Sequence, residues 1–269
     1  MIGALNFEKN SLGKRTKRML RVDFRRMLRS RLLYITVACA FLIPILMTVM
    51  MTMMDGSVSV DPQTGAETVM RGPENAWQNI GTLPGGETMG GTEVFMMCNV
   101  NMTFMGVAVF VCLFISEDFR SGFSKNLFTV RAKRGEYVIS KTLAGFVCGA
   151  LMLIAYFAGS VLGGMVAGLS FDLCGLSLLN LVMCFLAKLC LMLVFVPIFV
   201  LISVAAKQRA WLALCGSLGG GMLLFMTVSM ITPLSSTALH VLLCLAGGAM
   251  FAFGLGAISK SVLKKTALV

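Results

Sequence analysis

The sequence predicts an all-α membrane protein with six transmembrane helices and both termini in the cytoplasm. Three observations carry this prediction. Hydrophobic residues make up 57% of the 269 residues and charged residues only 13%, whereas soluble domains carry about 25% charged residues. The apolar residues come in runs of about 20, the length that an α-helix needs to cross a hydrocarbon core of roughly 30 Å. Lys and Arg are concentrated in alternate connections between these runs.

The chain divides into a basic N-terminal segment (1–31), a transmembrane domain (32–258) and a short cytoplasmic tail (259–269). The first apolar run begins after 31 residues and lasts for 23, too long for a signal peptide, so we interpret it as a retained span. The six predicted spans lie at about 32–54, 94–115, 142–169, 178–205, 211–231 and 238–258.

The distribution of cations orients the spans. Lys and Arg residues number 23, and 21 of them lie in 1–31, 116–141, 206–210 and 259–269. The connections on the other side contain one cation, Arg71, against seven acidic residues. Because cytoplasmic loops carry an excess of Lys and Arg, both termini are predicted to be cytoplasmic.

The N-terminal segment has a helical pattern of its own. Apolar residues at helical spacing are interleaved with many cations; they are Leu20, Phe24, Met27 and Leu28. This pattern predicts an amphipathic helix in the membrane interface, with its apolar face toward the acyl chains and its basic face toward anionic headgroups of the bilayer. The alternative is a simple positively charged anchor for the first span.

The predicted outer loop, 55–93, is rich in Gly, Pro and Thr and carries six carboxylates against Arg71. We expect irregular structure or a small cap. An acidic mouth would attract cationic amphiphiles by long-range electrostatics, although a positive-inside topology alone also leaves outer loops acidic.

The connection 116–141 has a different character, with nine charges in 26 residues between the second and third spans. Phe119, Phe123 and Leu127 recur at helical spacing, and Gly122 relaxes the middle of the pattern. An ordinary basic loop would explain the cations but not the acidic residues at the end of a span or the spaced aromatic rings. We predict a short amphipathic helix that is connected to a span at each end. A force applied to this helix would therefore be transmitted to both spans.

No motif for chemistry is visible in this chain. The closest approach to a phosphate-binding loop, "GLGAISKS" at 254–261, lacks the second glycine and ends a predicted helix instead of following a strand. We therefore predict no catalytic, cofactor-binding or metal-binding residues here, and any ATP would be bound by another chain. The cations lie between apolar runs, which argues against nucleic-acid binding.

Lys188 is the one charged residue within a predicted span. It could contact an anionic substrate group or a partner helix, or its long side chain could extend to the outer boundary. With Asn99 and Asn101 of the second span, it marks a possible substrate path.

The 116–141 connection resembles the segment between the second and third spans of type 2 ABC exporter permeases. The residues that carry the resemblance are Glu117, Gly122, Asn126, Leu127, Arg134, Tyr137 and Lys141. The six spans, the N-terminal interfacial helix and the chain length are also similar to that family. Two departures are the lack of a proline before Arg134 and the presence of Phe123 where the family often has Thr.

The resemblance implies a membrane-spanning subunit of an ATP-driven ABC exporter. A separate cytoplasmic ABC ATPase subunit would bind ATP and Mg²⁺ and dock on 116–141, and a second permease chain, identical or related, would complete a dimeric unit. The implied ATPase-coupling residues are Glu117, Asp118, Phe119, Arg120, Gly122, Phe123, Lys125, Asn126 and Leu127.

The implied function is outward movement of an amphipathic or hydrophobic substrate, an antimicrobial peptide or a drug-like molecule, across a bacterial plasma membrane. Two alternatives remain open at this point. One is an ATP-independent carrier or channel, for which Lys188, Asn99 and Asn101 provide few polar groups in the spans. The other is a membrane scaffold without a transport role that binds a cytoplasmic partner through 116–141.

Overall fold

The computed structural model describes residues 12–60, 67–69, 72–81, 99–129 and 134–265. The described residues are overwhelmingly helical, as predicted. The helices are α1 (Leu12–Arg29), α2 (Arg31–Met53), α3 (Met102–Arg120), α4 (Phe123–Thr129), α5 (Arg134–Ala167), α6 (Leu178–Ala206), α7 (Ala210–Ile231) and α8 (Ala238–Lys265).

Five of these helices, α2, α3, α5, α6 and α8, are long and apolar enough to cross a membrane. Helix α7 has 22 residues, which corresponds to about 33 Å at a rise of 1.5 Å per residue. The prediction of a multi-pass helical membrane protein is therefore confirmed.

Helix α3 lies at the centre of the bundle. Its side chains are buried against α5, α6 and α7, and Val107, Phe110 and Ile115 are fully enclosed. Helix α2 packs along α5, where Gly159 and Gly163 let the two backbones approach closely. A Cβ atom on Gly163 would lie 3.0 Å from the Cα of Ile45, so a larger residue would push the helices apart.

The two ends of the bundle differ in charge. The basic end holds α1, α4, the α6–α7 connection at 207–209 and the last turns of α8, which meet the start of α5 where Lys260 approaches Gly135. The acidic end holds the α2–α3, α5–α6 and α7–α8 connections.

At the acidic end, residues 76–79 of the 55–93 loop pack against α2 and α5. Strands β1 (Val58–Val60) and β2 (Glu67–Val69) form an antiparallel hairpin, and a 3-10 turn follows at Ala76–Asn79. The Trp77 indole N–H donates to the Phe171 carbonyl at 3.0 Å, which joins the loop to the α5–α6 connection. Residues 76–79 therefore cover the ends of α2 and α5, and a cap formed by the whole loop remains a prediction.

Three expected boundaries are corrected. Helix α3 begins at Met102, not at 94, after a turn at 99–101; residues 94–98 lie outside the described part of the chain. Helix α5 begins at Arg134, not at 142, because its first two turns pack polar side chains against α1, and hydropathy does not detect such packing.

The third correction concerns the helix expected around 117–128. Gly122 adopts φ +72°, a left-handed conformation that ends the helix before it and separates α4 from α3. Residues up to Arg120 therefore extend α3, and α4 has only seven residues.

Candidate functional site: a buried ion network at the basic end

Helix α1 points one carboxylate into the protein. Asp23 is the one acidic residue among the many cations of this helix, and it is fully buried on the face that packs against α5. Met27, one turn further along the same face, is also buried in the core. A buried carboxylate is costly without a counter-charge, so the partners of Asp23 determine whether α1 can pack here.

Lys141 of α5 provides that counter-charge. Its Nζ lies 2.7 Å from Oδ1 of Asp23 and 2.6 Å from Oδ2 of Asp118, at the end of α3. The lysine is about 1% exposed. The neighbouring Ser140 hydroxyl donates to Oδ2 of Asp23 at 2.5 Å. One buried ammonium thus joins carboxylates from two different helices.

Arg26 completes the cluster from α1. Its Nη1 lies 2.6 Å from Oδ1 of Asp118, and the Tyr137 hydroxyl donates to the other oxygen of that carboxylate at 3.1 Å. We call Asp23, Arg26, Asp118 and Lys141 the ion network. Its two cations and two carboxylates balance formally, the condition under which buried charges are tolerated.

Aromatic rings surround the ion network. The Lys141 ammonium lies 4.1 Å from the centroid of the Phe114 ring, and the Arg26 guanidinium carbon lies 4.2 Å from that of Phe123. Ring faces attract cations, and the apolar surroundings lower the local dielectric and strengthen the ion pairs.

The short helix α4 is attached directly to the ion network. The Ser124 hydroxyl donates to the backbone carbonyl of Asp118 at 3.1 Å, and Phe123 covers Arg26. Phe128 packs edge-on against Tyr137, with ring centroids 5.4 Å apart. Three side chains of α4 thus contact α3, α1 and α5 respectively, so a displacement of α4 would act on all three helices.

A second buried lysine lies nearer the acidic end. Lys188 of α6 is about 1% exposed, and its Nζ donates to Oγ1 of Thr232 at 2.9 Å and to Oδ1 of Asn101 at 3.4 Å. Both of these acceptors are uncharged. Thr232 is the C-cap of α7, where the helix dipole is negative, so the charge meets a favourable helix end.

This geometry bears on one of the expectations for Lys188, extension to the outer boundary, whereas contact with a substrate group or a partner helix remains a prediction. The side chain does not extend to the surface, and that interpretation was wrong for the described structure. It instead contacts other helices of the same chain. Asn101, also predicted to lie on a substrate path, is buried as its partner, while the half-buried Asn99 accepts from the Asn101 backbone N–H at 2.9 Å.

A comparison with known protein families identifies the family of this chain. A family model described as "ABC-2 family transporter protein" matches residues 19–222, which is more than half of the chain and includes the whole ion network. The chain belongs to this family. It is therefore the permease, or membrane domain, of an ABC transporter. Among curated proteins and among solved structures, no protein matches the chain.

The structure places the predicted ATPase-coupling residues of the permease at three depths. Asp118 and Phe119 are buried, so their side chains are not available to a partner. Gly122, Phe123 and Leu127 are half-buried. Four residues remain exposed, and we call them the coupling surface: Glu117, Arg120, Lys125 and Asn126.

The predicted interfacial residues of α1 also differ in exposure. Leu20 and Phe24 are half-buried and Leu28 is exposed, whereas Met27 lies in the core. Met27 is thus not part of a membrane-facing surface, because its side of α1 packs against α5.

Asp23 and Arg26 are the network members that sequence reasoning missed. A single carboxylate within a strongly basic helix was the available signal, since an acid retained among cations often has a buried partner. Lys141 and Tyr137 are among the residues that carry the family resemblance, but sequence spacing does not indicate their pairing with Asp23 and Asp118.

Proposed function

We propose that this permease is the membrane-spanning subunit of an ATP-driven exporter, with six spans and both termini in the cytoplasm. A separate ATPase chain binds ATP and Mg²⁺ and docks on the coupling surface, and a second permease chain completes the unit. The observation that carries the proposal is the ion network, because it joins α1, α3 and α5 directly behind that surface.

The contacts of α4 support a mechanical route from the ATPase. A force applied to the coupling surface is transmitted to α3 through the Ser124–Asp118 hydrogen bond and to α1 through the Phe123–Arg26 contact. Buried ion pairs resist separation, since removal of one partner typically costs about 3–5 kcal/mol. The three helices therefore move together when the ATPase closes on ATP.

An apolar groove supports an amphipathic or hydrophobic substrate, such as an antimicrobial peptide or a drug-like molecule. It lies between α2, α3 and α5, has a volume of about 350 Å³, and is lined by residues that include Ile43, Val109 and Met152. Pockets of this size and composition bury the apolar part of a small ligand. The acidic 55–93 loop would draw cationic amphiphiles away from the membrane on the outer side.

The docking proposal is tested by affinity purification of the tagged permease from its native membrane. We expect a subunit that hydrolyses ATP to co-purify, and we expect Glu117→Lys to abolish its recovery because this exposed carboxylate lies on the coupling surface. Glu74→Lys is the matched control, since Glu74 is equally an exposed glutamate but lies at the acidic end.

If the ATPase were recovered with Glu117→Lys and lost with Glu74→Lys, the docking site would lie at the acidic end and the proposal would be wrong. Transport by the purified permease in liposomes without ATP would instead support a carrier. The orientation has a separate test in a cysteine-free background. A membrane-impermeant thiol reagent added outside cells should label Glu74→Cys and leave Arg209→Cys unlabelled, and the reverse pattern would invert the topology.

A further inference from the structure

Helix α1 has an outer surface that the ion network does not use. Four exposed cations recur every four residues along it, and we call them the cationic stripe: Lys17, Arg21, Arg25 and Arg29. A parallel apolar row of Leu20, Phe24 and Leu28 lies beside the stripe, and the two rows together line one shallow groove. Residues four apart occupy the same face of a helix, so both rows are continuous.

The position of the groove indicates its surroundings. Helix α1 ends at Arg29 and the membrane-spanning α2 begins at Arg31, so a single residue, Ser30, separates them. The groove therefore lies within a short distance of the membrane surface. Cations beside apolar side chains match a ligand with an acidic headgroup and an acyl chain, whereas an acidic peptide or a free phosphate would use only the stripe.

We propose that the cationic stripe binds anionic phospholipid headgroups of the adjacent leaflet, and that this binding regulates coupling through α1. The opposite face of the same helix carries Asp23 and Arg26. A headgroup that holds the outer face thereby fixes the position of both network residues relative to Asp118 and Lys141. The regulatory part rests on the proposed function, whereas the lipid preference is a property of the permease alone.

The lipid preference is measured with the full-length permease in nanodiscs of phosphatidylcholine mixed with phosphatidylglycerol. A Leu28→Trp reporter is placed in the groove, with Trp77 and Trp211 replaced by Phe, and one lipid at a time carries brominated acyl chains. We expect the reporter to be quenched more strongly by brominated phosphatidylglycerol than by brominated phosphatidylcholine at the same mole fraction. Arg21→Gln/Arg25→Gln should remove most of this difference, since each cation near an anionic surface contributes about a fivefold preference.

The matched control is Lys260→Gln/Lys264→Gln, which removes two exposed cations from α8 at the same end of the bundle. It should leave the preference unchanged. Equal quenching by the two lipids in the parent protein, or an equal loss in both double variants, would overturn the lipid site.

The regulatory part is measured as ATP hydrolysis by the permease reconstituted with its co-purified ATPase. We expect phosphatidylglycerol to change the rate for the parent and not for Arg21→Gln/Arg25→Gln. If that variant instead loses the ATPase itself while the parent lacks a lipid preference, the stripe is a protein-docking surface and the lipid proposal is wrong. A lipid preference without any ATPase partner would contradict the proposed function and leave the lipid site standing.

Discussion

Lys141 and Lys188 are two buried lysines with almost the same exposure, about 1%, and different electrostatic partners. Lys141, at the basic end, lies within 2.7 Å of two carboxylates that come from α1 and α3. Lys188, nearer the acidic end, meets two neutral oxygens and the negative end of α7. The same residue type therefore forms a charge-balanced link in one place and caps a helix in the other.

This difference has a mechanical consequence. Removal of one partner from a buried ion pair costs about 3–5 kcal/mol, whereas a hydrogen bond from a charged group to a neutral acceptor contributes about 1.5–3 kcal/mol net. The basic end is accordingly held as one unit by its charges, and the helices near Lys188 are held by weaker contacts. Movement that begins at α4 should thus travel with α1, α3 and α5 together and be absorbed closer to the acidic end.

The largest effect is expected for Asp118→Asn. This change leaves Arg26 and Lys141 facing Asp23 alone, so that a net positive charge is buried. We expect a loss of about 3–5 kcal/mol in the free energy of unfolding, read as a strongly lowered midpoint in a thermal unfolding assay of the purified permease. Glu117→Gln is the control, since this neighbouring side chain is exposed, and equal midpoints for the two variants would contradict a buried network.

A smaller effect is expected for Lys188→Met. The substitution keeps the length of the side chain and removes the charge, while Thr232 retains its own hydrogen bond to the Val228 carbonyl at 2.7 Å. We expect a cost of about 2 kcal/mol or less, the upper range for a cation at a helix C-terminus. Lys141→Met should cost clearly more in the same assay. A greater loss for Lys188→Met would mean that Lys188 has a charged partner in the assembled protein.

The smallest effect is expected at Gly122. Its positive φ separates α3 from α4, and open space surrounds the position where a Cβ would lie. Gly122→Ala should cost about 1 kcal/mol through backbone strain alone. Gly122→Asn should cost less, because asparagine tolerates this conformation. If the two variants have equal unfolding midpoints, the left-handed turn is not maintained in solution.

The fold class could be predicted from the sequence because runs of about 20 apolar residues are typical of membrane-spanning helices. The start of α5 differed from the expected boundary because the helix continues past the apolar run, through Tyr137 and Lys141. These side chains are polar by type and buried by context. A hydropathy scale describes the polarity of a residue type and does not report whether the side chain is buried in the fold.

Sequence reasoning named Asp118 and Lys141, two members of the ion network, but did not predict the network. Helical spacing around Phe119 and Phe123 indicated an amphipathic segment, but an amphipathic pattern does not identify the neighbour on its apolar face. Phe119 therefore belongs to the interior, and the exposed residues on either side of it and after Phe123 make up the coupling surface. Asp23 and Lys141 lie 118 positions apart in the chain, so their pairing required the fold.

If Asp23 and Lys141 act as one charge-balanced unit, the effects of their substitutions should not add in a double variant. Asp23→Asn leaves an excess buried cation and Lys141→Met leaves an excess carboxylate, while the double variant retains the balanced Arg26–Asp118 pair. In thermal unfolding of the purified permease, we predict that the double variant is more stable than either single variant. A double variant whose loss equals the sum of the two single losses would show that the residues act independently and would contradict the account.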